Sequence, residues 1–280
     1  MLRKCWERPK RLAENDIKMG SIARSIRLVL DSSDPKAKIF AARKTARDWR
    51  LGRLEHRFDV EMPDQPAWPD KPELLHPMKM PKRKKGGSDR ARIALLHSLA
   101  HIEFAAIDLA FDMAGRFGAD FPPSFIDDWL SVGADEAMHF ALLERRLRQL
   151  GSHYGALPAH SGLWDAASET RHDVLARLAV VPMVLEARGL DITPATVERC
   201  KGQGDMVTAK ILNRIYHDEI RHVFAGSKWF KNRCAQLSLV PEDHWKALVA
   251  KHFRGALKPP FNDSARLAGG LTRDYYNPLV

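Results

Sequence analysis

The sequence predicts an all-α protein, a four-helix bundle with a long connection between its second and third helices and a helical N-terminal extension. Three observations predict it. From residue 89 onward, long segments carry apolar residues at helical spacing, and no convincing series of strands interrupts them. The breaks between segments are marked by Gly and Pro, at Phe121-Pro122-Pro123 and within 151–163. Two Asp-Glu-x-x-His runs recur on separate predicted helices.

Residues 1–60 read as a basic helical extension, with Asp34-Pro35 opening a helix from Lys36 to Leu54. Residues 61–88 form an extended connector, because Pro63, Pro66, Pro69, Pro72, Pro77 and Pro81 exclude a helix. It ends in the basic cluster Lys82-Arg83-Lys84-Lys85. The bundle occupies 89–237. Its first helix is expected from Arg90 to Phe117. The second starts after Phe121-Pro122-Pro123-Ser124 and runs to Gly151, and a Gly/Pro/His-rich crossover fills 151–163. The third is expected from Trp164 to Gly189 with Pro182 inside it, and a short helix follows at Thr193-Pro194. The fourth spans Asp205 to Leu237. In residues 238–280, Pro241 opens a last short helix, and 256–280 reads as a tail.

The net charge of +10 lies entirely in residues 1–90, where 23 Lys and Arg face 13 Asp and Glu. The remaining chain is balanced. A basic segment of this kind suits RNA, anionic lipid or an acidic protein, or serves as a solvated surface. No apolar run approaches the ~18 residues of a membrane span, so no membrane partner is expected. Cys5, Cys200 and Cys234 form no Cys-x-x-Cys pair, which fits a reducing, cytoplasmic setting.

The chemistry concentrates in Asp135-Glu136-x-x-His139 and Asp218-Glu219-x-x-His222. Each motif glutamate follows another, Glu103 or Glu186, by 33 residues, and each upstream glutamate has an aspartate five positions later, Asp108 or Asp191. Positions i and i+3 share a helix face, so one helix can offer a carboxylate and an imidazole to one metal. The six candidate ligands are Glu103, Glu136, His139, Glu186, Glu219 and His222. They match the pattern of two-metal carboxylate bundles, one Glu from each of two helices and Glu-x-x-His from each of the others. Mixed carboxylate and imidazole ligation favours iron or manganese over magnesium.

The motif alone is weak, since chance supplies about 0.6 copies in a chain of this composition. Four occur. Glu73-x-x-His76 lies between prolines. Glu169-x-x-His172 lies too far from Glu186 along one continuous helix. The shared 33-residue spacing is therefore the stronger signal. Asp135 and Asp218 can each reach a ligand histidine on the other helix, as metal-bound imidazoles require of their second nitrogen. Arg221 and Arg188 are candidates to support them. Tyr216 lies on the Glu219 face and is the one candidate catalytic side chain. His101 and His217 are rotated away and are read as non-ligands.

The stretches HSLAHIEFAAIDLAFD, DEAMHF, GSHYGALPAHSGLW, RLAVVPMVLEARGLDITP and DEIRHVFAGSKWF resemble the ferritin-like superfamily. More narrowly, they resemble the bacterial family called domain of unknown function 455, over roughly residues 35–235. The resemblance implies a ferritin-like fold with the six residues above holding two iron ions, or manganese and iron. Asp218-Glu219-x-Arg221-His222 is also similar to the motif of di-iron oxygenases and desaturases. The implied function is a dioxygen-activating oxidoreductase fed by an electron-donor protein. Alternatives are an RNA-modifying hydroxylase that guides RNA through residues 1–90, because a tRNA hydroxylase branch shares the superfamily, and a non-enzymatic metal-binding or stress-response protein.

Overall fold

The computed structural model describes residues 19–81 and 88–277. Cys5 and the basic cluster at 82–85 lie outside them. The first described helices are α1, Ile22–Leu30, and α2, Pro35–Arg50. Asp34 caps α2 by accepting from the Ala37 amide at 2.8 Å, and Pro35 occupies its first turn. The helix ends at Arg50, short of the expected Leu54, because Gly52 turns the chain at a positive φ of 66°. Residues 51–60 are thus not helical. Two very short strands, β1 Gly20–Ser21 and β2 Leu54–Glu55, pair in parallel there. The proline-rich connector is extended apart from a single turn at Pro77–Lys79. It lies along the helices: the Ala67 amide bonds Leu30 at 2.7 Å, and Ala159 of the crossover bonds Glu73 at 2.9 Å.

Helices α3, Asp89–Phe117, and α4, Pro123–Gln149, form one antiparallel pair. Helix α8, Met206–Gln236, packs against α4 and against a broken partner that precedes it. That partner corrects the expected single helix from Trp164 to Gly189. The chain makes α5, Gly162–Glu169, then α6, Val174–Val180, then a π-helical turn at Val181–Glu186, then α7, Ala187–Gly202.

The break between α5 and α6 has a local cause. Asp173 caps α6 through the Leu175 and Ala176 amides at 2.9 and 3.1 Å. Buried Arg177 then staples the gap, donating to the Ala167 carbonyl at 2.6 Å, the Thr170 hydroxyl at 3.1 Å and Asp112 of α3 at 2.6 Å. Pro182 sits in the π turn, where a wider helix absorbs its missing donor. Nor does Pro194 start a new helix. It lies inside α7, and the carbonyl four residues back, on Leu190, receives the Asn262 side-chain amide at 3.2 Å instead.

The C-terminal region is not a tail. After α9, Pro241–His252, come α10, Asp263–Ala268, and α11, Arg273–Tyr276, with Arg266, Tyr275 and Tyr276 buried. Of the described helices, only α3 is long and apolar enough by composition to cross a bilayer. Averaging over its length conceals Glu103, Asp108 and Asp112, and most of that stretch is buried inside the protein.

The crossover is fixed to α3 by two neutral histidines. His97 Nε2 accepts from the Gly155 amide at 2.9 Å. His101 bonds the Tyr154 hydroxyl at 2.9 Å and the His160 carbonyl at 3.1 Å. Burial holds both imidazoles down to about 4. A depressed histidine makes the folded state bind fewer protons than the unfolded chain between pH 4 and 6.5. Stability therefore rises with pH through that window and is lost as pH falls. The slope should be shallower in His97→Gln/His101→Gln, by up to about 1.4 kcal/mol per pH unit for each histidine, in urea melts at pH 7, 6 and 5.

Close packing also fixes the π turn. A Cβ on Gly226 of α8 would lie 2.5 Å from Pro182 Cβ and Cγ. Gly226→Ala should cost about 1–3 kcal/mol in urea denaturation, because a proline ring inside a helix has little room to give.

Candidate metal centre

The structure brings the motif residues of α4 and α8 together with Glu103 of α3. Glu136 and His139 lie one turn apart on α4, and Glu219 and His222 one turn apart on α8, so each pair faces the space between the helices. His139 Nδ1 is 3.2 Å from Glu103 Oε2 and 3.3 Å from Glu136 Oε2. His222 Nδ1 is 2.9 Å from Glu136 Oε1 and 3.6 Å from Glu219 Oε1. Candidate ligand atoms of Glu103, Glu136, His139 and Glu219 all fall within 4.8 Å of one another, so this buried group could hold a metal ion.

Glu186 ends the π turn beside them, close enough for the charges of Glu219 and Glu136 to act on it.

Each histidine has its outer nitrogen fixed by the other helix. His139 Nε2 is 3.1 Å from Asp218 Oδ2 of α8. His222 Nε2 is 3.5 Å from Asp135 Oδ2 of α4. Arg221 donates to both aspartates, at 3.2 Å to Asp135 and 2.5 Å to Asp218. Arg214, which the sequence reading passed over, donates to Asp218 at 2.6 Å. It precedes Asp218 by four residues, an ordinary helix ion-pair spacing that could have found it.

Burial and mutual repulsion set the protonation. Desolvation raises the carboxyls of Glu103 and Glu186 well above the usual range, and the charges of Glu136 and Glu219 add to it. Burial also raises Glu219. Glu136 goes the other way: burial opposes its charge, but His222 and His139 hold it low. His139 is pushed up to about 12, because its bonds to Asp218, Glu103 and Glu136 outweigh desolvation.

Two side-chain atoms of the six candidate ligands are buried without a hydrogen-bond partner. One is Glu186 Oε2. The other, His222 Nδ1, lies 2.9 Å from Glu136 Oε1 but out of line for a hydrogen bond, and Glu219 Oε1 at 3.6 Å is too distant for one. Buried orphan groups of this kind cost free energy, and a cation is one kind of partner that such atoms accept. Carboxylate oxygens and imidazole nitrogens are donors that iron, manganese or zinc accept.

The other candidates lie elsewhere. Arg188 does not reach the cluster. It donates to the Lys258 carbonyl at 2.6 Å and lies 3.5 Å from Asp191, so it clamps the C-terminal segment. The Tyr216 hydroxyl takes the Asn262 side-chain amide at 3.1 Å and is tied to that same segment. His217 is exposed and bonds the Asn213 carbonyl. His76 caps the turn at Pro77. Glu169-x-x-His172 straddles the break after α5, which removes the continuous helix assumed for it. Glu169 pairs instead with Arg254 at 2.8 Å. Cys200 and Cys234 are buried free thiols.

Fold and site together define an all-helical protein with a buried glutamate and histidine cluster able to hold a metal ion. The chain belongs to the family described as "Protein of unknown function (DUF455)", whose model matches residues 31–277. The match includes the C-terminal helices, beyond the 35–235 expected from motifs. A Haemophilus influenzae protein, itself described as uncharacterised, is 39% identical over 213 residues and covers 74% of each chain. No solved structure matches.

The Asp218 contact is testable in the metal-free protein. In Asp218→Asn the His139 imidazolium should titrate at clearly lower pH than in the parent, followed by ¹⁵N NMR of the ring. An unchanged titration would mean that Asp218 does not hold the proton on His139.

Proposed function

We propose that this protein is a ferritin-like di-metal carboxylate protein that activates dioxygen, with Glu103, Glu136, His139, Glu186, Glu219 and His222 holding two iron ions, or manganese and iron. The carrying observation is the crossed pairing of His139 with Asp218 and His222 with Asp135. It points both Nδ1 atoms at the same buried carboxylates, and it is the way protein sites usually orient an imidazole for a metal. Four carboxylates also match the charge of two divalent ions. When bound, such a pair supplies the electrons that reduce dioxygen.

The chain's own residues prepare that chemistry. Asp135 and Asp218 fix which imidazole nitrogen faces inward. Arg221 links the two aspartates, so both histidines are set by one brace. The π turn places Glu186 at the cluster without a competing hydrogen bond. Glu103, Glu136, His139 and His222 are themselves buried. The reducing equivalents would come from an electron-donor protein. The substrate is an organic molecule or the metal itself.

Elemental analysis after anaerobic loading with Fe(II) should find two ions per chain, and air should then bring dioxygen uptake. A chain that takes up no metal under these conditions would refute the reading. Loading should also release several protons per chain near pH 7, read with a pH indicator, because His139, Glu103 and Glu186 hold protons that the ions displace. Asp135→Asn should weaken metal retention about 10–100-fold in chelator competition.

A further inference from the structure

A groove of about 740 Å³ runs between α2 and α4. One wall is a single stripe of α2. Lys36, Phe40, Arg43, Lys44, Arg47 and Arg50 follow one another at three- and four-residue steps (Arg43 and Lys44 being adjacent), so all share one face. All six are exposed. Their opposite face, with Lys38, Ala42 and Thr45, is buried against the protein.

The stripe is under-neutralised. Asp48 alone serves Lys44 at 2.5 Å, Arg47 at 3.6 Å and Arg53 at 3.0 Å. Lys36, Arg43 and Arg50 have no ion-pair partner among the described residues. Across the groove, Asp135 is engaged by Arg221 and Arg214 by Asp218, so the unpaired positive charge lies on the α2 wall. Phe40 stands among these charges with 70% of its surface exposed.

We propose that this groove binds single-stranded nucleic acid, with the α2 cations on the phosphates and Phe40 stacked on a base. Guanidinium groups grip phosphate oxygens through two parallel N–H donors. A concave basic track with an aromatic platform is how strands are held without sequence preference. A nucleotide strand offers the ring a flat base beside each phosphate, so one ligand answers both features of the groove. The groove passes Asp135, so the docked strand would lie beside the His222 brace. The inference stands whether or not the cluster holds metal.

The test is fluorescence anisotropy of a labelled 20-nucleotide oligo-uridine RNA with the full chain, metal-free and metal-loaded, across a salt series. Binding should weaken steeply with salt. Lys36→Ala/Arg43→Ala/Arg50→Ala should lose at least about tenfold in affinity and flatten the log–log salt slope by about 2, since each single-strand phosphate contact contributes about 0.7. Phe40→Ala should lose about tenfold with the slope unchanged. These side chains are exposed, and an unchanged melting temperature would confirm intact variants. The proposal is overturned if the full chain binds no RNA at low salt, or if the triple variant binds like the parent. It is equally overturned if Phe40→Ala has no effect, or if polyglutamate of equal charge competes as well as RNA, which would point to an acidic protein.

Discussion

The structure is organised around the burial of charge. Four glutamates and two histidines share one low-dielectric space between α3, α4, α8 and the π turn. An uncompensated carboxylate there would protonate or unfold its surroundings. Compensation is built in at two radii. Inside, each imidazole lies between carboxylates. Outside, Asp135 and Asp218 hold the imidazoles, and Arg221 and Arg214 hold the aspartates. Glu103 and Glu186, where this compensation falls short, are the carboxyls that burial raises most.

The same logic fixes the appended segments. Asp108 and Asp191 stand five residues after Glu103 and Glu186, and both are buried. Asp108 is paired with buried Lys38 of α2 and takes the Trp68 indole of the connector at 2.8 Å. Asp191 takes Arg266 of α10 at 2.7 and 2.8 Å, and the Asn262 amide at 3.0 Å. Each half of the repeat thus recruits a buried cation from a different end of the chain. Breaking such a buried pair on one side is strongly unfavourable. The N-terminal helices and the C-terminal helices are therefore parts of the same folded unit as the bundle.

Much of this was legible in the sequence, and the residues show why. Helices α3, α4 and α8 carry apolar residues at regular spacing, and α3 and α8 have side-chain caps at Ser88 and Asp205 while α4 opens on Pro123, so their bounds follow from local chemistry. The 33-residue spacing singled out six residues that the structure places in or beside one cluster. What escaped was decided by distant partners. The break at 170–173 is held by Arg177 reaching Asp112 of α3. The passage of α7 through Pro194 depends on Asn262, from a region that read as a tail. Arg188 and Tyr216 sit at suggestive positions near Glu186 and Glu219, but the C-terminal segment claims both. Local periodicity carries no information about a segment 70 residues away.

The two halves of the cluster are consequently not equivalent, although the sequence repeats. Glu103 projects from a regular α-helix and is bonded to His139. Glu186 ends a π turn that Pro182 requires and Gly226 accommodates, and its Oε2 has no bond at all. A π turn adds a residue to the helical ring and so shifts every side chain after it around the axis. Without that shift, the continuous helix expected from the sequence would aim Glu186 along a different direction. The irregular helix therefore sets the direction in which Glu186 faces the cluster, and it leaves one buried carboxylate oxygen there without a hydrogen bond.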